Sequence, residues 1–170
     1  LGCVGWGWEQ VLPYFCKLEN DIRFGNTSYH GNAGPIPIFR AEPQDWGSVD
    51  LALMKAGLDL DYGWCEDHNA PWGTGVSPYA INSQSGNRVS TNDGYLEPAR
   101  NRSNLTIEGN AIVDTLTFEG NRHHVNGVRV SLRGEVKSLR ANKEVLLCAG
   151  AIHSPTILQR SGFGPSSLLK

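Results

Sequence analysis

The spacing of apolar residues changes sharply near the end of the chain. Residues 145–148, Val-Leu-Leu-Cys, are apolar without a break, which is typical of a strand covered on both faces. Residues 149–151, Ala-Gly-Ala, carry almost no side chain, so a bulky group has room beside the backbone there. Ser154 can cap a helix whose first position is Pro155, and residues 161–164 can end it. Because ligands of open α/β sheets sit beyond the carboxyl ends of strands, this bend is a candidate cofactor site.

Two helices are predicted nearer the N-terminus. Residues 8–18 place apolar side chains on one helical face, and the apolar residues of 45–60 predict a second helix. Residues 32–38 are rich in Gly, Asn and Pro and predict an extended connector with little strand pairing. Residues 62–78 predict a long irregular loop, and loops of this length usually form or cover a site.

Strand patterns dominate after residue 87. Residues 90–93 can cap a short helix that continues through Ala99. Three alternating segments, with turns at residues 119–121 and 134–135, then predict an antiparallel meander: 112–118, 125–132 and 136–139. The meander is predicted to lie between two buried strands, residues 105–107 and 145–148. This order of elements indicates an α/β fold with α+β character, and the change in pattern places a soft domain boundary near residue 82.

Composition narrows the class of protein. The chain has 170 residues, which is enough for one ordinary domain with a core. Its net charge is −2 and its sequence pI is near 6.2, so no basic field favours nucleic acid or an anionic membrane as a partner. The longest apolar run is far short of the ~20 residues of a membrane span. Twenty glycines indicate many turns and close backbone approaches.

The ends and the cysteines add further expectations. The N-terminus lacks Met, a basic start and an apolar core, so we expect an internal piece of a longer protein and no signal peptide. The four cysteines are far apart and lack zinc spacing, which favours a reducing, cytoplasmic setting. Glu66, Asp67 and His68 have ligand-type side chains, but adjacent residues converge poorly on one ion. We therefore expect no metal.

Several blocks of the chain, in the same order, match one family. Residues 149–164 resemble its second sequence signature, which runs from small residues through Ser-Pro to Ser-Gly-x-Gly, with Phe163 where an aliphatic residue is usual. The other matching blocks are Trp8 with 12–15, 29–31 with 34–35, 95–99, and 104–107. By these blocks the chain resembles an internal part of a glucose–methanol–choline (GMC) oxidoreductase, a family of flavoproteins that oxidise alcohols with FAD. Bacterial choline dehydrogenases are the members that it resembles most.

The resemblance implies a role for each half of the chain. Residues 1–82 resemble part of the lid and substrate-binding region, and residues 83–170 resemble part of the FAD-binding domain, a Rossmann-like fold that carries the meander. In relatives a valine backbone at the start of the meander binds the adenine edge, and that position is Val113 here. Ala149 and Gly150 resemble the small residues that pass close to the ribose and phosphates. The implied cofactor is FAD, and the implied partner is a small-molecule alcohol.

The resemblance leaves the catalytic residues, the particular alcohol and the electron acceptor unassigned. The family's Gly-x-Gly-x-x-Gly turn is expected before residue 1 and its catalytic histidine beyond residue 170, so we assign no catalytic residue. Three other interpretations stay open. The bend at 149–151 can be an ordinary strand–helix joint, and the chain can be a binding or structural module without redox chemistry. An NAD-linked dehydrogenase is less favoured, because the meander insertion is typical of flavoproteins with two dinucleotide-binding folds.

Overall fold

A computed structural model describes residues 2–120 and 124–169. The chain divides into two compact units, Leu1–Leu105 and Thr106–Lys170. The boundary predicted near residue 82 falls inside a strand of the first unit, Ile81–Gln84, because that strand pairs with an earlier one. The assignment of the two halves of the chain to lid and FAD-binding regions stays a prediction.

The first unit combines helices with a small mixed sheet. Its sheet has the order β1-β2-β3-β4, in which β1 and β2 are parallel and the other pairs are antiparallel. Residues 32–38 were expected to form little pairing, and this is wrong, because Ile36–Phe39 is a strand between two neighbours. The element bounds are α1 Trp8–Leu18, β1 Glu19–Asp21, β2 Ile36–Phe39, a 3-10 turn Pro43–Asp45, α2 Ser48–Asp59, β3 Ile81–Gln84, β4 Asn87–Arg88, a π-type turn Asn92–Leu96 and α3 Glu97–Ala99.

The predicted helices of this unit are confirmed. The helix α1 has the predicted bounds, with Glu9 in its first turn and Lys17 in its last, the arrangement that the helix dipole favours. The helix α2 begins three residues later than predicted, after the 3-10 turn. The predicted short helix that ends at Ala99 is also present, as α3. Ahead of it, Asp93 Oδ2 accepts hydrogen bonds from the Ser90 amide and hydroxyl at 2.7 and 2.5 Å.

The second unit contains the predicted meander and one helix. Its sheet has the order β5-β6-β7, and every pair is antiparallel. A two-residue turn joins β6 to β7, with Arg133 and Gly134 at φ +53° and +88°, as a tight hairpin turn requires. Of the other predicted turn, Asn121 lies outside the described residues. The element bounds are β5 Ala111–Glu119, β6 His124–Leu132, β7 Glu135–Arg140 and α4 Gly150–Arg160.

The prediction of two buried strands, one on either side of the meander, is wrong. In the described part of the chain, residues 105–107 and 145–148 are irregular and pair with no strand. A strand needs a partner for its backbone N–H and C=O groups, and neither segment pairs with an edge of the three-stranded sheet. Leu146 is accordingly 76% exposed, and Cys148 is exposed instead of buried.

The helix α4 differs from the prediction at its start and agrees at its end. It begins at Gly150, so Pro155 lies inside the helix and not at its first position. Ser154 reaches back along the helix, and its Oγ accepts a hydrogen bond from the Ala149 amide at 2.9 Å. At the far end, Gly162 has φ +90°, and the Phe163 amide donates to the Leu158 carbonyl, which is a Schellman cap.

A search of the described helices finds none that combines the length and the apolar character needed to cross a membrane.

Candidate functional site

A groove in the second unit lies between the face of the meander sheet and α4. It encloses about 780 Å³, and its wall is largely apolar. Its lining includes Val113, Asp114, Arg129, Ala149, His153 and Arg160. A concave, mostly apolar cleft with a few polar groups is the usual form of a cofactor site.

The position of α4 against β5 is fixed by a small buried core and one buried hydroxyl. Ile157 and Val130 are 4% and 1% exposed and form the centre of this core. The Ser161 Oγ accepts a hydrogen bond from the Leu116 amide at 2.8 Å and donates to the Ile157 carbonyl at 2.6 Å. Since the Leu116 amide belongs to β5, this contact holds the end of α4 against that strand.

A β-bulge interrupts β5 where it borders the groove. Val113 pairs with Val130 and Thr115 with Arg129, so the register skips Asp114. Bulges re-aim backbone groups and occur often beside functional sites. The bulge places Val113 in extended backbone at the groove wall, next to Asp114, which has no cross-strand partner in the register.

Two of the three residues implied as cofactor-binding line this groove together. Val113 and Ala149 both contribute to its wall, although 36 positions separate them in the chain. Gly150 follows Ala149 and begins α4 with φ +85°. A Cβ placed at Gly150 would meet no described atom within 4 Å, so the bend is open. That these three residues contact a cofactor stays a prediction.

Sequence reasoning missed the charged groups of the groove. Arg160 donates to the Asp114 carbonyl oxygen at 2.9 Å, and its Nε lies 3.3 Å from the Asp114 carboxylate. Arg129 approaches the other oxygen of that carboxylate at 3.4 Å. His153 is exposed and lines the groove. The missed signal was helical spacing, because Arg160 lies two turns after His153 on one side of α4.

The first unit contains a cluster of five charged side chains, four of them buried and one, Glu19, partly exposed. Asp21 Oδ2 accepts a hydrogen bond from Arg40 at 2.7 Å, and Asp67 Oδ1 accepts another from Arg40 at 2.8 Å. His30 lies between Glu19, at 2.6 Å from Nδ1, and Asp67, at 2.7 Å from Nε2. We call these residues the ion cluster: Glu19, Asp21, His30, Arg40 and Asp67.

The contacts of His30 fix its charge. Both ring nitrogens face carboxylate oxygens, and an ionised carboxylate only accepts hydrogen bonds, so both nitrogens must carry protons. Burial lowers the pKa of His30, but the hydrogen bonds to Asp67 and Glu19 and the charges of these groups together raise the pKa above its usual value. The two contacts and the direction of the pKa shift both favour the protonated, imidazolium form of His30.

Two carboxylates of the ion cluster, Asp21 and Asp67, remain ionised because they accept several hydrogen bonds. Burial raises the pKa of Asp21 and of Asp67, yet the hydrogen bonds they accept outweigh it and hold both pKa values below the usual range. For Asp21 these bonds come from Arg40 and from the backbone amides of Phe24 and Arg23. The guanidinium of Arg40 also stacks over the Phe24 ring, 4.7 Å from its centroid, and its Nε has no hydrogen-bond partner among the described residues.

Glu19, Asp21 and His30 bring ligand-type atoms within 4.8 Å of one another. As they stand, Glu19 Oε1 and His30 Nδ1 are 2.6 Å apart. Two ligands on one tetrahedral zinc ion lie about 3.3 Å apart, given bonds of about 2.0 Å. The observed arrangement is that of a direct hydrogen bond, and an ion there would have to displace the proton of His30.

The triplet 66–68 sends its three side chains to different partners. Glu66 pairs with Arg23 at 2.6 Å, and Asp67 joins the ion cluster. His68 stacks on Tyr79 with ring centroids 5.8 Å apart. The three adjacent side chains thus diverge.

Comparison with known proteins assigns the chain to a family. The model of the GMC oxidoreductase family matches residues 1–169, so the chain belongs to the GMC oxidoreductases. It is 43% identical, over 96% of its length, to oxygen-dependent choline dehydrogenase 1 of Chromohalobacter salexigens. The chain spans 29% of the length of that curated relative.

Solved structures give the same assignment. The chain is similar to pyridoxine 4-oxidase from Mesorbium loti, with a TM-score of 0.79 and 36% identity over 96% of the chain and 31% of that structure. It is also similar to an FAD-dependent oxidoreductase from Chaetomium thermophilum, with a TM-score of 0.73 and 26% identity over 99% of the chain and 31% of that structure. The predicted family and mixed α/β class are confirmed, and so is FAD as the cofactor that goes with this family.

Proposed function

We propose that the intact protein is an FAD-dependent alcohol oxidoreductase and that this chain supplies the adenosine side of its cofactor site. The observation that carries the proposal is the groove of the second unit, which has Val113 on one wall and Ala149 on the other. Two findings support the proposal. The chain belongs to the GMC family, and it has an open cleft at residues that the resemblance implies for the nucleotide. The bend at Gly150 is unfilled, as a passing cofactor requires.

The residues of the groove fit the chemistry of an adenine nucleotide. An adenine ring is flat and apolar on its faces, and the apolar wall of the groove suits those faces. Its edge needs a backbone donor and acceptor in extended geometry, which Val113 can offer next to the bulge. Ala149 and Gly150 leave space for the ribose and phosphates, and the phosphates would lie near the N-terminus of α4, where free N–H groups favour anions.

The role of this chain in the reaction is to bind and to shield. When bound, FAD supplies the ring that accepts a hydride from the alcohol, and the protein around it provides orientation and excludes water. The groove would hold the non-reacting end of the cofactor. Binding energy from that remote end helps to position the reacting end.

The substrate we propose is a small primary alcohol of the choline type. Its support is the identity to a choline dehydrogenase, and the similarity to a pyridoxine oxidase makes an aromatic primary alcohol the second candidate. In both cases the group to be oxidised is a primary alcohol. No residue described in this chain is assigned to contact the substrate.

The test is a flavin spectrum and an alcohol panel on the intact protein. We expect flavin absorption with about one FAD per chain, and bleaching of the oxidised flavin band when choline, pyridoxine or another primary alcohol is added without oxygen. A colourless intact protein that takes up no FAD would overturn the proposal. Flavin binding without bleaching by any alcohol would support the alternative of a module that binds but does not oxidise.

A further inference from the structure

We propose that Arg160 is a positioning residue for the adenosine half of FAD, an inference that rests on the proposed function. Arg160 ends α4, and its guanidinium reaches across the groove wall to the bulge of β5. Its Nε donates to the Asp114 carbonyl oxygen at 2.9 Å, and its Nη2 approaches the Val113 carbonyl oxygen at 3.4 Å. One rigid group thus contacts the oxygens of two consecutive peptide units.

The bulge is the place where such a contact has most effect. Peptide units in a regular ladder are oriented by their cross-strand partners, but the register skips Asp114, so no ladder partner orients it. The planar guanidinium presents its donors in a fixed fork, so binding two neighbouring oxygens sets both peptide planes at once. One of these planes contains the carbonyl of Val113, the group proposed to face the adenine edge.

The surroundings of Arg160 indicate that its side chain orients the bulge of β5 and contributes little to the free energy of unfolding. Its side chain is 43% exposed, and an exposed ion pair contributes little to folding. The docking of α4 onto β5 is carried by the next residue, Ser161, whose hydroxyl is buried against Leu116. Loss of the Arg160 side chain would therefore leave the helix in place while it frees the bulge.

The charge of the groove has the sign that a dinucleotide requires. Arg160 and Arg129 both approach the one carboxylate of Asp114. These three side chains leave one net positive charge on the groove wall, next to the space proposed for an anionic cofactor.

The experiment measures FAD and ADP binding to the apo form of the intact protein, together with its thermal unfolding. For Arg160→Gln we expect the FAD dissociation constant to rise about tenfold, the size expected for loss of a charge-assisted hydrogen bond. ADP, which carries the adenosine half alone and competes with FAD, should lose affinity by a similar factor. The unfolding temperature of the apoprotein should stay close to that of the unchanged protein.

Three further variants sharpen the result. Arg160→Lys keeps the charge without the fork and should fall between the unchanged protein and Arg160→Gln. Asp114→Asn keeps the backbone oxygen and removes the negative charge beside Arg129 and Arg160, so it should bind FAD at least as tightly as the unchanged protein. Arg140→Gln removes an exposed arginine at the far end of β7 and serves as the matched control.

Two results would overturn the inference while leaving the proposed function intact. One is an FAD dissociation constant within twofold of normal in Arg160→Gln. The other is weaker FAD binding together with a large drop in apoprotein stability, which would make the role of Arg160 a general structural one. If the unchanged intact protein binds no FAD, the proposed function itself fails, and this inference fails with it.

Discussion

His30 and Asp67 lie 37 positions apart in the chain and are joined by a buried hydrogen bond of 2.7 Å between Nε2 and Oδ2. This bond ties the irregular segment after α2 to the residues that precede β2. Because His30 also contacts Glu19, and Asp67 also contacts Arg40, one imidazolium links strand β1 to a loop. The linkage gives the first unit a dependence on pH.

We predict that the stability conferred by His30 decreases as pH rises. The pKa of His30 is raised in the folded state, so its contribution is complete below the unfolded pKa of about 6.5 and is lost as pH rises through the folded pKa. The measurement is the unfolding temperature of the protein and of His30→Gln between about pH 5.5 and pH 9. The unfolding temperature of the unchanged protein should exceed that of His30→Gln by most at the acidic end. A difference that is constant or grows with pH would refute the charge assigned to His30.

The carboxylates Asp21 and Asp67 set the acidic limit of the pH range in which the ion cluster stabilises the first unit. The pKa values of Asp21 and Asp67 are lowered, so their contribution is present above the unfolded pKa of about 3.9 and is lost as pH falls through the lower folded values. The cluster should therefore stabilise the first unit most between about pH 4 and pH 6.5.

Asp67→Asn should be strongly destabilising. It removes the carboxylate that faces both His30 and Arg40 and leaves two buried cations with one partner fewer, a change that typically costs about 3–5 kcal/mol. The neighbouring Glu66→Gln is the matched control, since the Glu66 side chain is 57% exposed and its pair with Arg23 should contribute less than about 1 kcal/mol. Urea unfolding of both variants makes the comparison, and similar losses would show that burial of the cluster has no special effect.

Ala149→Leu should lower the FAD content of the intact protein. Ala149 lines the groove with an ordinary φ of −87°, so a larger side chain there fills the cleft without straining the backbone. Gly150→Val should also reduce flavin loading, but its φ of +85° adds backbone strain of about 1–2 kcal/mol.

The control for the Ala149 variant is Ala151→Leu, on an exposed position of α4 outside the groove lining. FAD released from each purified protein is measured by its absorbance. Normal FAD content in Ala149→Leu would remove this bend from the cofactor site.

Ser161→Ala should weaken the packing of α4 on β5. It leaves the buried Leu116 amide without an acceptor, at an expected cost of about 1–3 kcal/mol in the free energy of unfolding. The exposed Ser166→Ala is its control. Equal unfolding free energies for the two variants would show that water replaces the Ser161 hydroxyl.

The sequence by itself determined the elements whose signals are local. The helix α1 and the meander β5–β7 follow from apolar period and turn residues, and the end of α4 follows from its glycines. The ordered blocks of residues also identified the family, because side chains and glycines at fixed spacing are visible without coordinates.

Only the tertiary structure decided features that join distant residues. The apolar run 145–148 signals a strand, yet strand formation depends on a partner, and this run pairs with no described strand. The pairing of β2, the bulge at Asp114 and the ion cluster likewise depend on which backbone groups and charges meet across the fold. Periodicity records which side of an element is apolar. The partner of each polar group is set by long-range packing, which determines the shape of the groove and the charge of His30.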